Sequence, residues 1–311
     1  MLIKKFSLPG WYSRFEKMYE FLEYYYENRY MFYSDRIIDS LYDTYIYLGV
    51  PLVWTGGRSP LADNSRIPMF IVKDTFDKFE DIELRHVFTN CLLDNDCLIQ
   101  DYKCNAFVKK YVNNEKSKVI LNHPKLIEHF KINYPNIPII YSTTMNIKNI
   151  DKINEITKNN IYVLNYNYNN NEEYLNQLKH KENIELLCAE PCQLFCKTRI
   201  KHYQDISYGI LNCGLTDANN EIFRCPNGKE VLTLDEIMKL PHAITNERVE
   251  ELSKEGFQYF KISGRSQPYT AWLETILYYL ALPEYKDYIR QRFLMKWACM
   301  MQIEDLHKSN I

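Results

Sequence analysis

The sequence predicts an α/β protein: a TIM-like (β/α)8 barrel with a cysteine-rich loop after its seventh strand and a C-terminal helix. Three observations carry this. Eight short β-branched or aromatic runs alternate with longer amphipathic segments over about 280 residues, the count and length of one (β/α)8 unit. Most connections are short, but the one from Glu190 to about Leu240 is long. No G-x-G-x-x-G follows the first run, which weighs against the competing doubly wound sheet.

The expected strands are Lys4–Leu8, Thr44–Leu48, His86–Leu92, Lys118–Leu121, Ile137–Ser142, Ile161–Asn165, Ile184–Ala189 and Tyr259–Ser263. Between them lie helical patterns. Phe15, Met18, Tyr19 and Leu22 fall at i, i+3, i+4 and i+7 of a helix through Asn28. Asp74 is an expected N-cap for a helix to about Asp81. Asn122-His123-Pro124 opens a helix continuing to about Asn133, with proline in the first turn where its missing N–H costs nothing. Asn146 or Asn149 caps the next helix, and Asn170 or Asn171 the one after. Pro268 stands near the start of a long helix through about Leu282. The asparagine-rich stretch 165–171 reads as a local loop. The whole chain, 1–311, is expected to be a single domain, with 190–240 as a cysteine-rich insertion and 284–311 as a helical extension.

The 311 residues suffice for a full core without disulfides. Lys plus Arg is 38 against 40 for Asp plus Glu, a net charge of −2, which excludes a strongly basic nucleic-acid wrapper and leaves room only for a local basic patch. The 26 tyrosines fit an AT-rich codon bias and are not by themselves a base-stacking surface. The first residues lack a sustained apolar stretch and a small-residue cleavage site, and no run approaches the length of about 18 apolar residues that a membrane helix needs. The expected compartment is therefore the cytoplasm, with no membrane attachment, and there structural disulfides are rare.

Nine cysteines then need another reason. Five of them, Cys188, Cys192, Cys196, Cys213 and Cys225, fall in one stretch of the sequence. Cys192, Cys196, Cys213 and Cys225 are separated by 3, 16 and 11 residues, a poor match to two C-x2-C zinc knuckles. The run Cys188, Cys192, Cys196 is C-x3-C-x3-C, so the C-x3-C-x2-C motif of radical-SAM enzymes is absent. Four thiolates on one long loop suit a [4Fe–4S] cluster, and Cys225-Pro226 matches the Cys-Pro that often closes one. By spacing alone a cluster, a zinc ion and unliganded thiols all stay open. Cys91, Cys97 and Cys104 show no metal spacing and are expected to be mostly buried.

Here the residues carry a resemblance. Ile184–Tyr203 followed by Cys213 and Cys225 resembles the cysteine region of the U32 peptidase family, the collagenase-like proteins. The segment Gly256-Phe-Gln-Tyr-Phe-Lys261-Ile-Ser-Gly264-Arg265 is similar to that family's G-x-x-x-F-K-I-x-G-R. Thr55-Gly-Gly-Arg58 and Asn122-His-Pro124 agree in position, and the resemblance spans roughly residues 1–282. It implies a TIM-like barrel whose four cysteines, here Cys192, Cys196, Cys213 and Cys225, hold a [4Fe–4S] cluster. Despite the family's name, it also implies oxygen-independent hydroxylation of an RNA base or a small aromatic, with prephenate implicated as hydroxyl source in some members. The cysteine spacing departs from that of the hydroxylating members and fits a shorter, barrel-only branch, so the substrate does not transfer. Cys188 falls inside the strand and reads as a buried small hydrophobe.

Other charged residues fall where a barrel would place its active site. Glu190, just past the seventh strand, can accept a proton or bind a cation, or cap the loop backbone. Arg199, with His202 or Tyr203 on the same helical face, can hold an anionic substrate or tune a cluster. Lys261 is costly inside an apolar strand unless paired, for example with Glu190. Gly264 allows close backbone approach, and Arg265 offers a bidentate anion contact. Gly56, Gly57 and Arg58 form a loop able to bind a carboxylate or phosphate. Asn90, Asn122 and His123 rank lower. The expected catalytic set is Glu190, His202 and Lys261, and the expected substrate-binding set is Arg58, Arg199, Tyr203 and Arg265. The expected partners are a small anionic cosubstrate, RNA or a protein. The alternatives to a hydroxylase-like enzyme are a peptidase or peptide-modifying enzyme, and a non-catalytic iron–sulfur scaffold or redox sensor. No Ser-His-Asp, H-E-x-x-H or P-loop signature is present.

Overall fold

The computed structural model describes residues 2–47, 50–57, 68–212, 232–264 and 267–308. Arg58, Cys213, Cys225 and Arg265 lie outside these.

Eight parallel strands close into a barrel: β1 (Lys4–Pro9), β2 (Arg36–Asp43), β3 (Glu83–Phe88), β4 (Ser117–Leu121), β5 (Ile139–Tyr141), β6 (Ile161–Val163), β7 (Ile184–Cys188) and β8 (Tyr259–Ile262). Each strand pairs in parallel with the next, and β8 closes on β1 through Lys5–Tyr259, Phe6–Phe260 and Ser7–Lys261. Parallel neighbours require long return connections, and helices supply them. The longest are α1 (Phe15–Glu27), α2 (Met69–Phe76), α3 (Pro124–Asn133), α4 (Ile150–Thr157), α5 (Arg199–Leu211), α6 (Asn246–Lys254), α7 (Tyr269–Leu280) and α8 (Lys286–Lys308). This is the predicted fold class.

Alternation along each strand divides the core in two. Outward residues such as Phe6, Leu41, Leu121, Leu186, Phe260 and Ile262 pack under the helices in the main apolar cluster. Inward residues Tyr42, Val87, Ile120, Ile140, Val163 and Leu187 form a second cluster inside the barrel. Below that inner layer the barrel is charged. Arg85 of β3 reaches across to Glu185 of β7 (Nη1 to Oε1, 2.6 Å), and both are fully buried. Arg85 also meets Asp39 at 2.8 Å and donates to the Ser7 hydroxyl at 2.8 Å. Ser7 in turn donates to Glu185 at 2.5 Å and touches Ser40 at 2.8 Å.

That polar floor explains where the second strand differs from expectation. The strand is Arg36–Asp43, not Thr44–Leu48. Its run R-I-I-D-S-L-Y-D breaks the apolar pattern because Asp39 and Ser40 serve the internal network. A register shift opposite Phe6 and Ser7 lets both contribute, Phe6 pairing Ile38 and Ser7 pairing Ser40. Within 44–48, Ile46–Tyr47 instead pairs antiparallel with Val50–Pro51. The third strand likewise starts earlier than expected, at Glu83, because Arg85 faces the floor.

The helices follow their sequence signals more closely. Asn149 and Asn171 accept backbone N–H bonds as N-caps, whereas Asn146 takes a left-handed conformation. Pro124 opens α3, and Pro268 precedes α7. Asp74 is a correction: it lies inside α2, which begins at Met69 behind Pro68. No helix among the described residues is long and apolar enough to cross a membrane.

Burial pushes the Glu185 carboxyl upward, but Lys261, Arg85 and the Ser7 hydroxyl outweigh it and hold it below the ordinary carboxylate range. The stability this contributes is complete above the unfolded value of about 4.3 and is lost as pH falls through the lower folded value. Glu185→Gln should therefore flatten the acid limb of a stability-against-pH curve measured by urea unfolding. Arg85→Ala, which strands a buried carboxylate, should cost about 3–5 kcal/mol at neutral pH in the same experiment.

Candidate functional site at the C-terminal rim

Because all eight strands run the same way, the residues following them share one rim, where barrels of this kind build their sites. Thr89 follows β3, Asn122 follows β4, Ser142 follows β5, Glu190 follows β7 and Ser263 follows β8. Among the described residues the interior opens there into a cavity of about 60 Å³, a few waters' worth. Its floor is the inner apolar layer, including Val87, Ile120 and Leu187. Lys261 and Gly264 stand on one side and Thr89, Ser142, Thr143 and Thr144 on another.

Lys261 projects into the barrel because Phe260 and Ile262 take the outward positions of β8. Its Nζ lies 3.6 Å from Glu185 Oε2 and 3.7 Å from the centre of the Tyr42 ring. Among the described residues the carboxylate at ion-pair distance is thus Glu185, in place of the Glu190 pairing the sequence suggested. Tyr42 is itself fixed by donating to the Ile262 carbonyl at 2.6 Å. Lys261 therefore links the charged floor to the cavity.

Glu190 is buried, and each carboxylate oxygen has a partner. One accepts the Cys192 N–H at 3.2 Å and the other the Ser263 hydroxyl at 3.0 Å. The chain turns sharply into it through Ala189, whose φ is +53°. The Glu190 carbonyl is held by His242 Nε2 at 2.9 Å. His242 was not singled out by sequence; burial keeps its imidazole below its usual value, although the bond to the Glu190 carbonyl pulls the other way. Cys188 is fully buried within β7, with its thiol pushed upward by burial, as expected of a packing residue.

Cys192 and Cys196 follow on the same loop, both half-buried. Cys192 and Leu194 pack on the inner apolar layer from above, so this loop folds back over the mouth. Cys196 Sγ lies 3.3 Å from Thr198 Oγ1. Arg199 opens α5, and its side chain is buried in the loop. It donates to the Gln193 carbonyl at 2.7 Å and to Asn165 Oδ1 at 3.3 Å, and its guanidinium lies 4.2 Å from the Tyr166 ring centre. Tyr203 is buried one turn later, and His202 beside it is half-buried. Further along α5, Ser207 Oγ accepts the Cys91 N–H at 3.1 Å and touches its thiol at 3.3 Å. Cys91 follows β3, so α5 bridges the mouth from the β7 side to the opposite wall, rising about 12 Å between Arg199 and Ser207.

Tyr166 also escaped the sequence reading. It is buried at the centre of this arrangement, its hydroxyl donating to the Gln193 carbonyl at 3.3 Å. Burial first, then the neighbouring Glu190 and Cys192, push that hydroxyl far above its usual range. Asn122 and Thr89 are joined by an amide-to-carbonyl bond of 3.0 Å, while Asn122 Oδ1 and Thr89 Oγ1 are buried without hydrogen-bond partners. Among the described residues no three His, Cys, Asp or Glu side chains group as a metal site. Of the four expected ligands only Cys192 and Cys196 fall within the description.

The barrel is U32-like in fold. A solved structure of a U32 peptidase is similar to this chain with a TM-score of 0.55 and 14% identity, over 86% of this chain and 95% of that one. At that identity the likeness is one of fold. No family model and no curated protein sequence matches the chain.

The rim also depends on a close backbone contact. A Cβ on Gly56 would stand 2.8 Å from Asn90 Cα and 2.9 Å from the Thr89 carbonyl oxygen. Gly56→Ala should therefore displace the loop after β2 and lower stability by about 1–3 kcal/mol, read as a fall in thermal midpoint.

Proposed function

We propose that this chain is an iron–sulfur enzyme whose Cys192, Cys196, Cys213 and Cys225 hold a [4Fe–4S] cluster over the barrel mouth. The observation that carries the reading is the Glu190 carboxylate. It joins the backbone of Cys192 to Ser263 of the β8 end, tying the thiol-bearing loop to the strand that delivers Lys261 to the cavity. The donor set fits the group: an all-thiolate set is characteristic of iron–sulfur clusters, both described cysteines are half-buried, and Cys192 packs on the inner apolar layer of the barrel. When bound, such a cluster supplies one-electron or Lewis-acid chemistry.

The residues of the chain then have separate tasks. Lys261, lodged against Tyr42 and Glu185, presents a positive charge to the cavity and orients an anionic cosubstrate. Glu190 lies where it can take or return a proton, and His202, half-buried on the bridging helix, is a second proton carrier. Arg58 and Arg265 add guanidinium contacts to the anion. Arg199 and Tyr203 shape the wall formed by α5. The reaction we favour is oxygen-independent hydroxylation, or related redox chemistry, on an RNA base or small aromatic. With a net charge of −2, RNA would engage a local rim patch or a partner protein. The name of the solved relative favours a second reading, peptide hydrolysis, and peptide cleavage by cluster-loaded protein would support it.

Protein purified without air should be brown and carry about four irons per chain. Cys192→Ala, Cys196→Ala, Cys213→Ala and Cys225→Ala should each lose iron, while Cys188→Ala keeps it. Colourless protein containing zinc would rule the reading out. Comparing modified nucleosides in cells with and without the gene then tests RNA as substrate.

A further inference from the structure

The loop after β6, read from sequence as an ordinary asparagine-rich connection, makes an unusual set of bonds. Asn165 caps its own turn by accepting the Asn167 N–H at 3.1 Å, and the same oxygen accepts from Arg199 at 3.3 Å. Arg199 and the Tyr166 hydroxyl both donate to the carbonyl of Gln193, at 2.7 and 3.3 Å, filling both of its lone pairs. Asn167 Oδ1 accepts the N–H of Phe195 at 3.0 Å. Gln193 and Phe195 both lie between Cys192 and Cys196. Phe195 has φ +48°, a left-handed conformation unfavourable for a bulky side chain, and that side chain is 63% exposed. Its burial therefore does not explain the conformation, whereas the bond to Asn167 fixes it in place.

We infer that Asn165, Tyr166 and Asn167 form a platform that sets the shape of the Cys192–Cys196 turn before any ligand arrives. These three are positioning residues: they act on the thiols through Gln193, Phe195 and Arg199. The inference rests on the reading of those thiols as cluster ligands, and it adds what holds them ready. A turn already bent needs less ordering when it binds, so the platform raises affinity without touching the ligand.

The test uses full-length, iron-free, reduced protein and iodoacetamide, with alkylation followed at each cysteine by mass spectrometry. Asn167→Ala and Tyr166→Phe should each speed modification of Cys192 and Cys196 about fivefold relative to exposed Cys97, the factor one net hydrogen bond represents. Asn167→Asp, which keeps the acceptor, should behave as wild type. Asn170→Ala should also leave the thiols unchanged, because the Asn170 amide holds the Pro241 and Ala243 carbonyls instead. In reconstituted protein, iron release to a chelator should quicken by a similar factor in Asn167→Ala. Circular dichroism checks the folding of each variant, and Tyr166→Phe carries the test if Asn167→Ala fails to fold. Wild-type alkylation rates in both folded variants would overturn the platform, as would equal acceleration by Asn170→Ala. A wild type that never takes up iron would overturn the cluster reading, while the alkylation comparison would still decide the platform.

Discussion

The contact on which most of the structure depends is the buried bond between Arg85 and Glu185. Burying two charges inside a barrel is expensive unless their remaining hydrogen-bonding capacity is largely met. Ser7 and Asp39 hydrogen-bond the pair, Ser40 holds Ser7, and Lys261 adds a positive charge 3.6 Å from Glu185, while Arg85 Nε and Glu185 Oε2 are buried without hydrogen-bond partners. Each of these contacts requires its strand to be in register. The network thus penalises sliding of β1, β2, β3, β7 or β8 past its neighbours, since a slip by one residue would turn a charge toward the outer apolar layer. The apolar layers supply the bulk of the burial, and the charged floor supplies the specificity.

The same network reaches the site. Lys261 has Glu185 on one side and the Tyr42 ring on the other, and the cavity lies beside it. Its charge faces the Glu185 carboxylate of the floor at 3.6 Å. Glu190 performs the corresponding task above, taking a backbone N–H from the cysteine loop and a hydroxyl from the end of β8. One acidic residue of the β7 segment belongs to the floor and the other to the rim, five positions apart along the chain.

What the sequence made legible follows from these physical roles. Strands facing apolar layers, such as Ile184–Cys188 and Tyr259–Ile262, announced themselves by composition. So did helices with asparagine or proline at their starts. Arg36–Asp43 did not, because an internal salt network gives a strand the residues of a loop, while Thr44–Leu48 has the residues of a strand. The positions of Glu190 and Lys261 at strand ends, and of Cys192 and Cys196 on the loop after β7, were readable, since barrel topology fixes where strand ends lie. Glu185 as the partner of Lys261 was not, because the pair joins positions 76 residues apart whose facing depends on register. Tyr166, Asn167 and His242 carried no motif at all. Their part is to hold backbone carbonyls and amides of another loop, and no spacing rule encodes that.

The helix α5 also has a mechanical role. It ties the loop after β7 to the loop after β3, and Arg85–Glu185 ties the same two strands below. In a ring of eight, β3 and β7 are diametrically opposed. The barrel is therefore braced twice along one diameter, once at the floor and once above the mouth. No such strut among the described residues lies on the diameter at right angles, and there β5 and β6, like β6 and β7, share a ladder of only two residue pairs. A cylinder stiffened in this way is held against widening along the braced diameter, and the wall between β5 and β7 relies on its short ladders. Thr143 and Thr144 stand at the end of β5, so the hydroxyl side of the cavity is the side farthest from both braces.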